Sequence, residues 1–221
     1  MTPIPKHSTG PSAHSAASNG DLFPAPDAAE PRSLTELNKI ITAAKPMVPG
    51  GKKAVLGEGP PGAALAFVGE QPGDQEDLQG RPFVGPAGQL LDKALAAAGI
   101  DRKASYVTNA VKHFKHEERG KRRIHQKPTM GEVKRYRWWL LKELGFVHPR
   151  VVVALGATAA AALEGAPVAI GKSRGKYQFG EMPGFVTIHP SALLRMPDHD
   201  ARTQAFADFV RDLKAARNLA H

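Results

Sequence analysis

Three runs of apolar residues, each followed by a polar loop and then a helical pattern, set the framework of the chain. Ala63 to Val68 is continuously apolar and meets the polar stretch Gly69 to Gly80. Such a run, flanked by a loop, is the pattern of a strand buried on both faces. Ser105 to Thr108 and Val151 to Leu155 repeat it. Between them the period lengthens to that of helices: Gly88 to Ala98, stopped by Gly99; Thr129 to Leu144; and Ala157 to Leu163, ended by Gly165. Ser33 with Glu36, and Thr129 with Glu132, have the spacing of capping boxes, so helices are predicted to open at Leu34 and just after Thr129. Tyr177 to Phe179 and Phe185 to Ile188 read as two short strands around Pro183-Gly184, and Asp200 to Ala216 as an amphipathic closing helix. Alternating strand and helix predict an α/β fold: a three-layer α/β/α sandwich with a central four-stranded parallel sheet, whose sites lie at the carboxyl ends of the strands.

Composition narrows the function classes. The 221 residues can bury one mid-sized core, so a single domain over 33–221 is expected, preceded by a Pro/Ser/Ala-rich tail at 1–32 too polar to order itself. No apolar run is long enough to cross a bilayer, and the N-terminus lacks a secretory pattern, which predicts a cytoplasmic protein without a membrane partner. The absence of cysteine excludes disulfides, a thiol nucleophile and any thiolate-held metal. A formal charge of +9 favours an anionic partner such as nucleic acid, although basic proteins are common for other reasons.

Four polar clusters fall at the ends of expected strands: Gly69 to Asp77, Thr108 to His113, Lys121 to His125, and His189 to Arg195. In a parallel sheet they converge on one rim. Gly69 to Asp77 has neither dinucleotide-binding nor Walker-loop spacing, and Gly171-Lys172-Ser173 lacks the upstream glycine of a phosphate loop. The stretch Lys112 to Lys127, with seven Lys or Arg and three His, is either a solvated face or a functional loop, and its length without periodicity suggests the latter. Beside such cations the proton affinity of His125 should fall, giving a neutral, nucleophilic imidazole. Asn109 is either a turn cap or a reader of a base edge, since its amide offers a donor and an acceptor side by side. Phe83, between glycines and prolines, is either core or a platform for a flat ligand.

The segments Gly69-Glu70-Gln71-Pro72-Gly73-Asp74-Gln75-Glu76-Asp77, Gly80 to Gly88, Asn109 with Lys112-His113, and Lys121-Arg122-Arg123-Ile124-His125 together resemble the X-type uracil-DNA glycosylases, relatives of the family-four enzymes, over residues 33–217. The resemblance implies a DNA-repair hydrolase acting on uracil-containing DNA, single-stranded or locally opened, as a monomer. By similarity Phe83 stacks on the flipped base, Asn109 reads its N3 and O4 edge, and His189 donates to O2. Glu70 and Gln71 lie beneath the sugar, and Gly69 and Asp74 contribute to the substrate pocket. His125 attacks C1′ and stays joined to the abasic DNA. Lys121, Arg122 and Arg123 meet phosphates, and Ser191, Leu194 and Arg195 contact the strand, Leu194 as a wedge.

One departure accompanies the resemblance. These enzymes hold a four-iron cluster through four cysteines, whose places fall here near Thr42, Lys45, Tyr136 and Val152 or Val153. The expectation is therefore a member with no cofactor and no metal, with Trp138-Trp139 and the first helix packing in the cluster's stead. Two rivals stay open: a turnover glycosylase in which His125 only positions water, and a non-catalytic module that binds uracil-containing DNA.

Overall fold

The computed structural model describes residues 30–221, so the expected tail at 1–32 falls, apart from its last three residues, outside the described residues. Helix α1 (Leu34–Ala43) starts where the Ser33 side chain accepts from the Glu36 amide. It is followed by β1 (Leu65–Gly69), α2 (Asp74–Gln79), α3 (Pro86–Ala97) and β2 (Tyr106–Asn109). Next come β3 (His116–Arg119), β4 (Arg122–His125), α4 (Met130–Val147), β5 (Val151–Leu155) and α5 (Ala157–Glu164). The chain ends with α6 (Ile170–Ser173), β6 (Gly175–Phe179), β7 (Met182–Thr187), α7 (Pro190–Leu194) and α8 (His199–Leu219).

The main sheet has the order β2-β1-β5-β7-β6. Its first four strands are mutually parallel, as expected, and β6 adds an antiparallel edge to β7. The turn between β6 and β7 lies at Gly180-Glu181, where Gly180 takes φ 58°, and Pro183 sits inside β7, so the turn expected at Pro183-Gly184 is corrected. A glycine with positive φ is the stronger turn signal.

Period two explains why the strands are apolar throughout. Ala66, Val68, Val152 and Ala154 enter one core with Leu37 and Ile41 of α1, Tyr136 and Leu140 of α4, and α5. Leu65, Phe67, Val151, Val153 and Leu155 enter the other, against Leu91 and Leu95 of α3 and Phe209 and Leu213 of α8. This is the three-layer arrangement, and it brings the carboxyl ends of β1, β2, β5 and β7 to one rim.

The sequence expectation did not include α2, the β3–β4 hairpin, α6 or α7, and the first two bear on that rim. The polar stretch after β1 contains α2, stabilised by Asp74, Glu76 and Asp77 in its first turn and stopped by Gly80 in the left-handed region at φ 72°. The basic segment is a two-stranded antiparallel hairpin, β3 with β4, in register from His116 opposite His125 to Arg119 opposite Arg122. Gly120, at φ 59°, makes its turn possible.

Candidate active site

A cavity of about 610 Å³ opens where the strands end, lined by Glu70, Gln71, Asp74, Phe83, Asn109, His125, His189, Ser191, Leu194 and Arg195 among others. The sequence-predicted residues thus converge on one place, except for Gly69 beneath it and Lys121, Arg122 and Arg123 in the neighbouring cleft.

Asn109 ends β2 and is buried, yet its side-chain amide makes no hydrogen bond among the described residues. A buried amide left free in a cavity wall favours a ligand that offers a matching acceptor and donor. Gly69 explains how it can sit there. A Cβ at that position would come within 2.4 Å of Asn109 Oδ1 and 2.5 Å of Phe83 Cζ, so only glycine lets the amide and the ring approach the end of β1. Phe83 is buried and holds φ 56°, a conformation uncommon for a bulky residue, and a Cβ on Gly88 would meet its carbonyl oxygen at 1.8 Å. The Glu76 carboxylate fixes this loop by accepting from the amides of Gly73, at 3.0 Å, and Gly85, at 2.8 Å. Those two glycines are the N-caps of α2 and α3, so one side chain ties two helix starts together.

His189 caps α7 and lies opposite, its ring centroid 6.2 Å from that of Phe83. Burial, helped by Arg195 and His125, pushes its pKa down to about 4. The ring is therefore neutral at pH 7. Its Nδ1 accepts from the Ser191 amide at 3.1 Å, which places the one remaining ring proton on Nε2. Ser191 Oγ in turn lies 2.8 Å from Nδ1 and accepts from Arg195 Nη1 at 3.0 Å, so Ser191 serves His189 and Arg195 within the protein. Leu194 and Arg195 project into solvent beside the mouth.

The other wall is carried by the hairpin. His125 ends β4 with its side chain 50% exposed, and its Nε2 lies 3.5 Å from Glu70 Oε1. Glu70 Oε2 accepts from the hydroxyl of Thr158 in the first turn of α5, a partner that sequence reasoning did not name. Arg123 is engaged within the protein. Its guanidinium is 17% exposed, donates from Nε to Asp74 Oδ1 at 2.6 Å and from Nη1 to Asp77 Oδ2 at 2.5 Å, and lies 5.5 Å over the Phe114 ring. It ties the hairpin to α2 while lining the neighbouring cleft, and Asp74, expected in the substrate pocket, lines the cavity and is one of its partners. A carboxylate, that of Glu70, lies within 4 Å of the His125 imidazole.

Gln71, which also lines the cavity, is held by the hairpin. Its Nε2 donates to the carbonyls of Lys115, at 3.3 Å, and Gln126, at 3.1 Å, while its Oε1 accepts from the Lys115 amide. It clamps the base of the hairpin. The charge run divides in the same way. Lys112 is fully buried and donates to Thr108 Oγ1, to the Asn109 carbonyl at 2.9 Å and to Glu143, bracing the strand end that carries Asn109. Lys115 pairs with Glu132 and Arg119 with Glu117. Lys121, Arg122 and Lys127 are exposed and form no ion pair among the described residues.

The arrangement combines a cavity with a free amide, a neutral imidazole donor, and a second imidazole beside a carboxylate. The profile of the Uracil DNA glycosylase superfamily matches residues 56–214. The chain belongs to that superfamily. Curated relatives include a protein named Type-4 uracil-DNA glycosylase from Thermotoga maritima, 38% identical over 160 residues that cover 71% of this chain and 80% of the relative. Those of the same name from Pyrobaculum aerophilum and Saccharolobus solfataricus are 37% identical over 155 residues and 33% over 156, covering 66% of this chain and 76% and 69% of the relatives.

The iron–sulfur cluster associated with such glycosylases does not fit this chain, which has no cysteine to supply thiolates. Of the positions expected to correspond to ligands, Tyr136 is buried, accepts from the Met47 amide at 2.9 Å and lies 2.7 Å from His113 Nδ1, edge-on to Trp139. Val152 packs in the core, and Thr42 and Lys45 are exposed. Burial pushes the His113 pKa down to about 4, so this contact is between neutral groups.

Proposed function

We propose that this chain is a uracil-DNA glycosylase of the X type, which releases uracil from DNA and keeps the abasic sugar on His125. A deoxyuridine swings out of the strand into the cavity, at a cost in unstacking of a few kcal/mol that the pocket contacts offset. Phe83 stacks on the ring, and the free amide of Asn109 pairs with N3–H and O4, a pattern that cytosine reverses. As the C1′–N1 bond breaks, its electron pair leaves with the uracil, and Nε2–H of His189 meets the charge growing on O2. Glu70, oriented by Thr158, faces the positive charge growing at C1′. The neutral Nδ1–H tautomer of His125 then bonds to C1′ through its Nε2 lone pair, and the alkylated imidazolium loses its Nδ1 proton to solvent. Gln71 and Arg123 act indirectly, by holding the hairpin that carries His125. Lys121 and Arg122 meet phosphates, and Leu194 and Arg195 fill and brace the gap left by the flipped nucleotide.

The observation that carries this reading is His125 Nε2 at 3.5 Å from Glu70 Oε1 on the wall facing Asn109 and His189. A second reading, turnover with water as the nucleophile, draws support from the names of the relatives and from the half-exposed imidazole, which leaves room for solvent. A labelled uracil oligonucleotide incubated with the protein and run on a denaturing gel separates the two. A band at the combined mass is expected. Free abasic DNA without that band favours turnover, and intact DNA with native-gel binding marks a non-catalytic module.

A further inference from the structure

Beside the cavity lies a second concavity, a cleft of about 710 Å³ lined by Lys52, Lys53, Asp74, Asp77, Leu78, Lys121, Arg122 and Arg123. Asp74 borders both, so the cleft continues from the mouth of the cavity. Its charges are not balanced locally. Both carboxylates are engaged by Arg123, which offsets one of their two charges, and four further cations line the cleft. Lys53, Lys121 and Arg122 are exposed and form no ion pair among the described residues, and Lys52 has only a 3.9 Å contact with Glu118, both side chains being about two-thirds exposed. Such a contact is worth little in water and is readily exchanged for a phosphate. Leu78, 60% exposed, gives the cleft an apolar side on which a sugar or base edge can rest. The lysines come from the segment ahead of β1, held in place by the Val55 amide donating to the Lys112 carbonyl at 2.8 Å, while the other two cations come from the hairpin turn.

We infer that this cleft is a binding track for the single strand on one side of the flipped nucleotide, with Lys52 and Lys53 facing Lys121 and Arg122 across its phosphates. The inference rests on reading the cavity as the uracil site, and it adds residues, a direction and a polymer to that site. A cleft lined by several cations and one apolar side chain suits a flexible single strand, which can place successive phosphates beside the cations and a base against Leu78.

The test compares the parent with Lys52→Ala/Lys53→Ala, two exposed positions whose truncation does not threaten the fold, and with Lys172→Ala/Lys176→Ala, which removes equal charge from α6 and β6. Binding of uracil-free single strands is followed by fluorescence anisotropy across salt, and uracil release by oligonucleotides with the uridine near one end or the other. Loss of Lys52 and Lys53 is expected to flatten the slope of log affinity against log salt by about 1.4, at about 0.7 per single-strand phosphate contact. It should raise the protein concentration that gives half-maximal single-turnover uracil release several-fold and leave the maximal single-turnover rate unchanged. The effect on uracil release should vanish on the oligonucleotide whose short arm leaves the cleft empty, and the Lys172/Lys176 pair should behave as the parent in both measurements. Equal flattening by both pairs, or equal response of the two end-placed substrates, overturns the track. A parent that releases no uracil refutes the reading of the cavity, while the anisotropy slopes still decide the cleft.

Discussion

The two walls of the cavity are built by different means. The wall bearing Asn109, Phe83 and His189 rests on the ends of parallel strands and on helix caps, with Gly69, Gly88, the Glu76 carboxylate and the buried Lys112 fixing positions through backbone contacts. The wall bearing His125 is a two-stranded hairpin, which would be marginal alone. It is held by Gln71 at its base and Arg123 along its side. The first construction fixes where a flat base lies. The second can be adjusted without disturbing the sheet, so base recognition and the fate of the sugar are separable, and variants on the two walls should produce different defects.

The widest separation is expected at His125. His125→Gly removes the proposed nucleophile and leaves space for water, so the adduct should vanish while uracil release continues with turnover. A heated detergent gel should show the parent shifted by DNA and the variant at its own mass, with alkali-labile DNA present. An adduct that persists in the variant would falsify the nucleophile assignment. On the opposite wall, Asn109→Ala removes the two hydrogen bonds proposed to the base and leaves base atoms unpaired, a loss of about 2 to 4 kcal/mol in single-turnover efficiency on uracil. Binding to uracil-free strands should hold steady, and an unaltered excision rate would return Asn109 to the role of a turn residue.

Arg123→Lys probes the hairpin's attachment with its charge preserved. An ammonium cannot reproduce the fork that reaches Asp74 and Asp77 together, and Asp77 is only 5% exposed. Adduct formation in a single turnover should slow about tenfold, equivalent to about 1.4 kcal/mol, with a smaller effect on uracil release. Equal slowing of both steps would show that the two walls move as one.

The same contrast explains what could be read from the sequence. The strand-end wall was legible because its signals are local: apolar runs that stop at Gly69 and Asn109, and capping spacings at Ser33 and Thr129. The hairpin wall depends on partners far apart in sequence. Arg123 finds its carboxylates 49 and 46 residues away, and Gln71 reaches 44 and 55 residues, distances at which composition shows only a charge run and a polar loop. Lys112 could not be told from its exposed neighbours because its burial depends on Glu143, 31 residues on. Two local signals did exist for the elements that were missed. Acids followed by Gly80 mark α2, and Gly120 amid charged residues marks the hairpin turn.

Acid should weaken the scaffold through the two histidines whose pKa burial lowers to about 4, His189 in the strand-end wall and His113 beside Tyr136. In the unfolded chain each titrates near 6.5, so between about pH 6.5 and 4 the unfolded state binds more protons than the folded one. Their contribution to stability is complete above that window and is lost as the pH falls through it, by at most about 1.4 kcal/mol per pH unit for each histidine and less where solvent reaches the ring. Denaturant midpoints at pH 7 and pH 5 measure the loss. His113→Asn should reduce the difference between the two pH values even if it lowers both midpoints, because the asparagine has no proton to gain. A pH dependence equal to that of the parent would show that His113 is not held neutral by the fold, and that its contact with Tyr136 does not brace the region between α1 and α4.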